Sequence, residues 1–321
     1  MKLDEQNKLP VYLALGFSIL MMGVSAPMNK IIMAGGMPAA VINFWRLSTA
    51  ALCTLPFVVF SARGRLELRQ LVSSRKDMLL LAASGVFLAL HFYVWVQSLK
   101  FTSTFGSMVL VCAHPVFTLI GDRFLFGVRY SRRSLMGVSV CFLGILLVGA
   151  NSLLRQEGNI TGDLLALLGA LLFSGYMLVG REMRSRYTVN TYTTGVYGIS
   201  AVLLAVFILL SGWSFAPYEP KLFFDVGVIV VCSTFFGHTI VNWSLGHIPT
   251  STASIMMLVQ PLITGTWAFF LLGDRPSIFL LMGGLVTMAG MLWYMLEQTR
   301  QSRRRAMESG IDDTQEMMPK E

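Results

Sequence analysis

Long apolar runs separated by short polar and basic stretches set the pattern of this 321-residue chain. A helix needs roughly 20 apolar residues to cross the hydrocarbon core of a bilayer. Ten segments reach or approach that length: 11–33, 39–60, 78–98, 104–121, 134–150, 163–183, 192–213, 223–245, 252–272 and 277–296. The shortest, 134–150, follows Arg132 and Arg133, whose side chains can snorkel to the interface. Strands of a membrane barrel would alternate apolar and polar positions in short segments. Unbroken runs such as Phe142–Ala150 and Leu164–Phe173 do not alternate. The pattern predicts an all-α integral membrane protein of ten transmembrane helices.

Composition agrees with that solvent. The chain is 55% hydrophobic and 13% charged, about half the charge of an ordinary soluble domain. The apolar stretch that opens at Val11 is too long for a signal-peptide core and no small-residue cleavage site follows it, so it should stay as the first helix. Residues 1–10 are a polar N-terminus, and 298–321 form a basic, then acidic, segment expected to be a disordered tail.

The net charge of +8 would suit nucleic acid if it formed one face, but the basic residues are scattered between apolar blocks. Ten crossings put both termini on one side. That side collects Lys2 and Lys8, Arg63 to Lys76, Arg123 to Arg133, Arg181 to Arg186, and the tail arginines. The other side holds only Lys30, Lys100, Arg155, Lys221 and Arg275. Such asymmetry marks the basic side as cytoplasmic, and the expected location is a bacterial plasma membrane with both termini inside.

Residues 95–148 align without gaps on 241–294, at a constant offset of 146. Ser98 falls on Ser244, Leu99 on Leu245, Thr104 on Thr250, Pro115 on Pro261, Gly127 on Gly273, Arg129 on Arg275, Ser131 on Ser277, Gly137 on Gly283 and Gly144 on Gly290. Two five-helix copies follow, one over 11–150 and one over 163–297, joined by an outer linker at 151–162. An odd helix number makes the copies enter the membrane from opposite sides. Inverted repeats of this kind are characteristic of secondary transporters, with the substrate site near the midplane between the halves.

The motifs then resemble a known family. Gly-Val-Arg at 127–129 precedes the glycine-rich helix 134–150, and Gly-Asp-Arg at 273–275 precedes 277–296. Trp45-Arg46 lies on the second helix, and the stretches Thr102–Pro115 and Thr250–Pro261 each lead into a mid-helix proline. Over about 11–297 the chain is similar to EamA-type transporters of the drug/metabolite transporter superfamily. Members usually carry Gly-Glu-Arg at the motif, where Val128 and Asp274 stand here. The resemblance implies a ten-helix bundle around a central cavity, working by alternating access and often exporting amino acids or related metabolites. It gives Gly127, Arg129, Gly273, Asp274 and Arg275 a structural role at helix turns.

Polar side chains inside a bilayer tend to face a cavity or a partner, and they mark the candidate substrate contacts. Arg46 sits eight residues into its segment, as an anion-binding or gating charge or as a structural arginine. His91 shares a helix face with Trp95, and the offset maps it to 237, beside His238. His114 precedes Pro115 as Gln260 precedes Pro261, where each proline frees a backbone carbonyl one turn earlier. In a bilayer that carbonyl needs protein or cavity water. Asn242 follows His238 by one turn, and Tyr176 with Trp95 could form aromatic walls. Imidazole and amide groups beside indole suit a zwitterion or an amphipathic metabolite. No Asp or Glu lies deep in a segment, which leaves either histidine-linked proton antiport or uncoupled exchange.

Cys53, Cys112, Cys141 and Cys232 lie inside apolar segments without a CxxC pair, so neither a metal nor a redox site is expected. No Walker loop, HExxH, GxSxG or dinucleotide fingerprint is present, so neither an enzyme nor a bound cofactor is expected. The expected partners are a small-molecule substrate and membrane lipid. Two other readings remain open: a nucleotide-sugar or phosphorylated-metabolite antiporter of the same superfamily, and a membrane assembly or sensor protein without flux.

Overall fold

A computed structural model describes residues 8–102, 104–154, 160–273, 278, 282, 283, 285–297, 300 and 301. Eight described helices are long and apolar enough to cross a membrane: α1 (Leu9–Ala34), α2 (Ala39–Val59), α4 (Arg75–Ser98), α5 (Thr104–Phe126), α7 (Ile160–Arg184), α8 (Val189–Leu210), α9 (Pro220–Ser244) and α10 (Thr250–Leu272). Two further apolar helices are α6 (Arg132–Leu154) and the shorter α11 (Leu285–Glu297). Large side chains such as Phe57, Phe124, Leu210 and Phe270 are well exposed on the outer surface. A water-soluble protein would not leave so much apolar surface uncovered.

The stretch between the second and third long helices is itself helical. In α3 (Ala62–Ser73), Ser61 caps the start by accepting from Gly64 N at 3.3 Å. Leu66, Leu68 and Val72 are exposed on it, while Glu67 and Leu71 are buried. Arginines at 63, 65 and 69 beside exposed leucines suit a helix lying in the membrane interface.

Three long helices are interrupted near their middles, and the sequence says why. In α1 the helix pauses at Gly23 and Val24, ahead of Pro27, which has no N–H to return to Gly23. Trp267 Nε1 on α10 donates to Leu20 O at 3.2 Å, satisfying a carbonyl beside that pause. In α5 the break falls before His114 and Pro115. In α10 a short 3-10 turn at Met257–Val259 precedes Gln260 and Pro261. Helix α9 carries a different irregularity, a π-helical stretch over Val230–Thr239. Both α5 and α10 end on left-handed glycines, Gly127 (φ 64°) and Gly273 (φ 71°), a backbone that side-chain-bearing residues rarely adopt.

The helices pair across the two halves of the chain in a regular way. α1 lies on α9 and α4 on α7, α2 packs along α8, and α5 crosses α10. α6 meets α11 through glycines: a methyl added at Gly290 would lie 2.5 Å from Cys141 N and 2.7 Å from Gly137 O. Cys141 Sγ lies 3.4 Å from Thr287 O.

Candidate functional site

The interruptions converge on a central cavity. Its walls come from α1 (Met22, Ser25), α4 (His91, Phe92, Trp95), both sides of the α5 break (Cys112, His114), α7 (Phe173), the π-helical stretch of α9 (Ser233, His238) and the α10 break (Met257, Gln260). Phe173 is the hub. Its ring centroid lies 4.8 Å from His91, 5.1 Å from His114 and 5.8 Å from His238. Trp95 stacks parallel to His91 at 6.1 Å. The space between these rings is only about 30 Å³, room for about two waters, so a metabolite enters only if the walls move apart.

Some of the polar wall groups are hydrogen-bonded and others are not. His91 Nδ1 is 2.9 Å from Gly169 O. His114 Nδ1 contacts Ser254 Oγ on α10, while its Nε2 has no partner. Trp95 Nε1 and His238 Nδ1 are likewise buried without a hydrogen bond. Buried polar atoms are nearly always satisfied, and three unpaired ones belong to the lining of this cavity.

Arg46 stands one side chain behind the wall and is fully buried. Its Nε donates to Thr234 Oγ1 at 2.8 Å and its Nη2 to Ser233 Oγ at 2.9 Å. Its Cζ lies 4.0 Å over the Phe92 ring. The wide π-turn brings both hydroxyls to this guanidinium, a use typical of π-bulges. The side chain therefore points into the protein and does not snorkel outward.

Of the other candidates from the sequence, His91, Trp95, His114, His238 and Gln260 all line the cavity. Tyr176 and Asn242 do not. They are fully buried and bonded to each other, the Asn242 amide donating to the Tyr176 hydroxyl. Gly127 and Gly273 close their helices as turn markers, Arg129 is exposed, and Asp274 and Arg275 lie outside the described residues. Phe92 and Phe173 carry no signal in the sequence, since a phenylalanine in an apolar helix looks like core or lipid contact.

A second set of bonds joins the two halves at the arginine-rich end, and the sequence does not show it either. Three acids of the first half reach across to the second. Glu67 on α3 accepts from Thr188 N (3.0 Å), Thr188 Oγ1 (2.6 Å) and Thr191 Oγ1 (2.6 Å), so it helps cap α8. Asp77 accepts from Arg186 Nη1 (2.7 Å) and Tyr187 Oη (2.8 Å). Asp122, fully buried, accepts from Arg181 Nη1 and from Ser251 N, each at 2.7 Å. Tyr130 Oη joins this last group, donating to Ser251 Oγ at 2.6 Å.

The chemistry of these groups follows from their surroundings. Burial works to raise the Glu67 carboxyl, but the bonds from Thr188 and Thr191 outweigh it and hold the group below its usual value. Burial, with the Asp77 carboxylate next to it, pushes the Tyr187 phenol up to about 12.

Apolar helices packed around a small central cavity, with imidazoles, an amide and hydroxyls among its apolar lining, fit a membrane transporter. The EamA-like transporter family is matched twice, over residues 9–150 and 160–296, and the chain belongs to this family. A transporter of Archaeoglobus fulgidus, described as uncharacterized, is 25% identical over 213 residues, 65% of this chain and 72% of its own. The uncharacterized transporter YxxF of Bacillus subtilis is 25% identical over 281 residues, 84% of this chain and 86% of its own. One crystal structure superposes with a TM-score of 0.69 at 16% identity, covering 91% of this chain and 98% of the other, which speaks for the fold alone.

Proposed function

We propose that this protein is a secondary transporter that exports small metabolites, such as amino acids or their derivatives, by alternating access between two inverted five-helix halves. The carrying observation is the reciprocity of the packing. Number the long helices of each half one to five. Helix one of the first half meets helix three of the second (α1 with α9), and three meets one (α4 with α7). Two meets two, four meets four, and five meets five through Cys141 and Thr287, which the 146-residue offset makes equivalent. A two-fold axis in the membrane plane requires such exchange, as it does at any isologous contact. An assembly or sensor protein has no need of it.

The arginine-rich end would be cytoplasmic by its charge, and the bonds of Glu67, Asp77 and Asp122 would form the inner gate. Breaking them while the opposite end closes would carry the cavity from one face to the other. Reconstituted into liposomes, the protein should move its substrate. His114→Ala and Gln260→Ala should each cut flux about tenfold, the effect of roughly 1.4 kcal/mol, without loss of insertion. Normal flux in both variants would remove the cavity assignment.

A further inference from the structure

We infer that the cavity selects a monoanion, a carboxylate on a neutral apolar or aromatic body, with Arg46 as its counter-charge. This rests on the carrier reading above and sharpens which metabolites it covers. The observation behind it is an unbalanced charge. Arg46 is fully buried, yet its only described polar partners are two neutral hydroxyls, and its Nη1 has no hydrogen-bond partner. A guanidinium stays protonated in proteins, and a buried charge without a paired opposite charge is strongly unfavourable.

No described acid balances it. Glu67, Asp77 and Asp122 are bonded to groups at the arginine-rich end, and Asp225 accepts from Lys221 Nζ at 2.6 Å near the other end. The ring of Phe92 partly compensates the cation, and Phe92 with Ser233 separates Arg46 from the cavity. When the walls part to admit a solute, a shift of Phe92 would give Nη1 a direct path to it. A carboxylate there would complete the pair and also accept from Trp95 Nε1, an indole donor with no bond of its own.

The same balance says what is disfavoured. An ammonium group would meet imidazoles, an amide and hydroxyls with a buried cation behind them and no carboxylate among the described lining residues. A phosphate carries nearly two charges at neutral pH and would leave one uncompensated beside a single arginine. The aromatic shelf of Trp95, Phe92 and Phe173 with Met22 and Met257 fits a flat or aliphatic body. Deaminated or N-acylated amino-acid-like acids have this shape and charge.

The test uses matched compounds that differ only in the head group: 3-phenylpropionate and hexanoate, their primary amides, and the corresponding amines. The full chain in phosphatidylcholine nanodiscs is heated with each compound, with empty nanodiscs as control, and flux is followed in parallel in liposomes. The expected result is a raised melting temperature with the carboxylates only. That response should be lost in Arg46→Gln and survive in Arg46→Lys with about tenfold weaker half-saturation. Equal stabilisation by amines or amides, no response to either carboxylate, or an undiminished carboxylate response in Arg46→Gln would each overturn the inference. Flux without charge preference would sink the inference and leave the carrier reading standing. Carboxylate binding with no flux of any compound would do the reverse.

Discussion

The two halves of this molecule are joined by different means at its two ends. At the arginine-rich end, buried carboxylates of the first half grip the second half: Asp122 with Arg181 and Ser251, Asp77 with Arg186 and Tyr187, Glu67 with Thr188 and Thr191. At the opposite end, among the described residues, aromatic side chains of the two halves meet. The contact there is Trp45 Nε1 donating to Phe215 O at 3.1 Å, with Phe44 and Phe223 packed around it, while Lys221 and Asp225 pair within one helix. One end is thus a polar lock of many bonds and the other an aromatic seam. A packed aromatic seam lets go with little desolvation cost, whereas buried acids must be given new partners or water when they part.

The largest expected effect is at Asp122. Its side chain is fully buried, and Arg181 opposite is only partly exposed. Asp122→Asn should lower stability by about 3 kcal/mol, since removing one partner strands the other. Adding Arg181→Gln should restore part of the loss. A melting temperature equal to the wild type's in the single variant would show that the lock contributes nothing.

Glu67 comes next and gives the pH dependence. Its carboxyl is held below the usual value in the folded protein, so its bonds stabilise fully above the ordinary carboxylate range. That contribution fades as the pH falls through the lowered folded value. Glu67→Gln should cost about 1–2 kcal/mol at neutral pH and flatten the acid limb of the stability profile. A profile with the same acid slope in both proteins would contradict this.

Arg186 has a smaller expected role. Its side chain is 38% exposed, so solvent screens the pair with Asp77, and Arg186→Gln should cost less than about 1 kcal/mol. The smallest change is expected at the seam: Trp45→Phe keeps the ring and loses one hydrogen bond, about 0.5–1 kcal/mol. Chemical-melting curves on the series should keep this order. If Trp45→Phe proved costlier than Asp122→Asn, the contrast between the ends would be reversed.

Which parts of this were legible in the sequence follows from range. Helices and the two halves show because hydropathy is local and because Pro115 with Pro261, or Gly144 with Gly290, keep register over a fixed offset. His91, Trp95, His114, His238 and Gln260 show because a polar group in an apolar run must have a reason to be there. Tyr176 and Asn242 have a different reason visible in the structure, a hydrogen bond to each other. The lock was illegible because its acids sit near helix ends, where charge is ordinary, and find partners more than a hundred residues away for Glu67 and Asp77. Helix α3 looks like a basic loop, since its arginines outweigh its leucines locally. The π-helical stretch of α9 that turns Ser233 and Thr234 toward Arg46 has no composition of its own.

The central claim is that the two halves rock about the cavity, opening one end as the other closes. Pulsed electron-electron resonance measures this directly once the native cysteines are replaced. Spin labels at the exposed positions Arg129 and Ser185 span the arginine-rich end, and labels at Ala34 and Ser214 span the opposite end. Adding a transported solute to the protein in nanodiscs should lengthen one distance and shorten the other. Two distances that stay fixed during active transport, or that change in the same sense, would contradict the account.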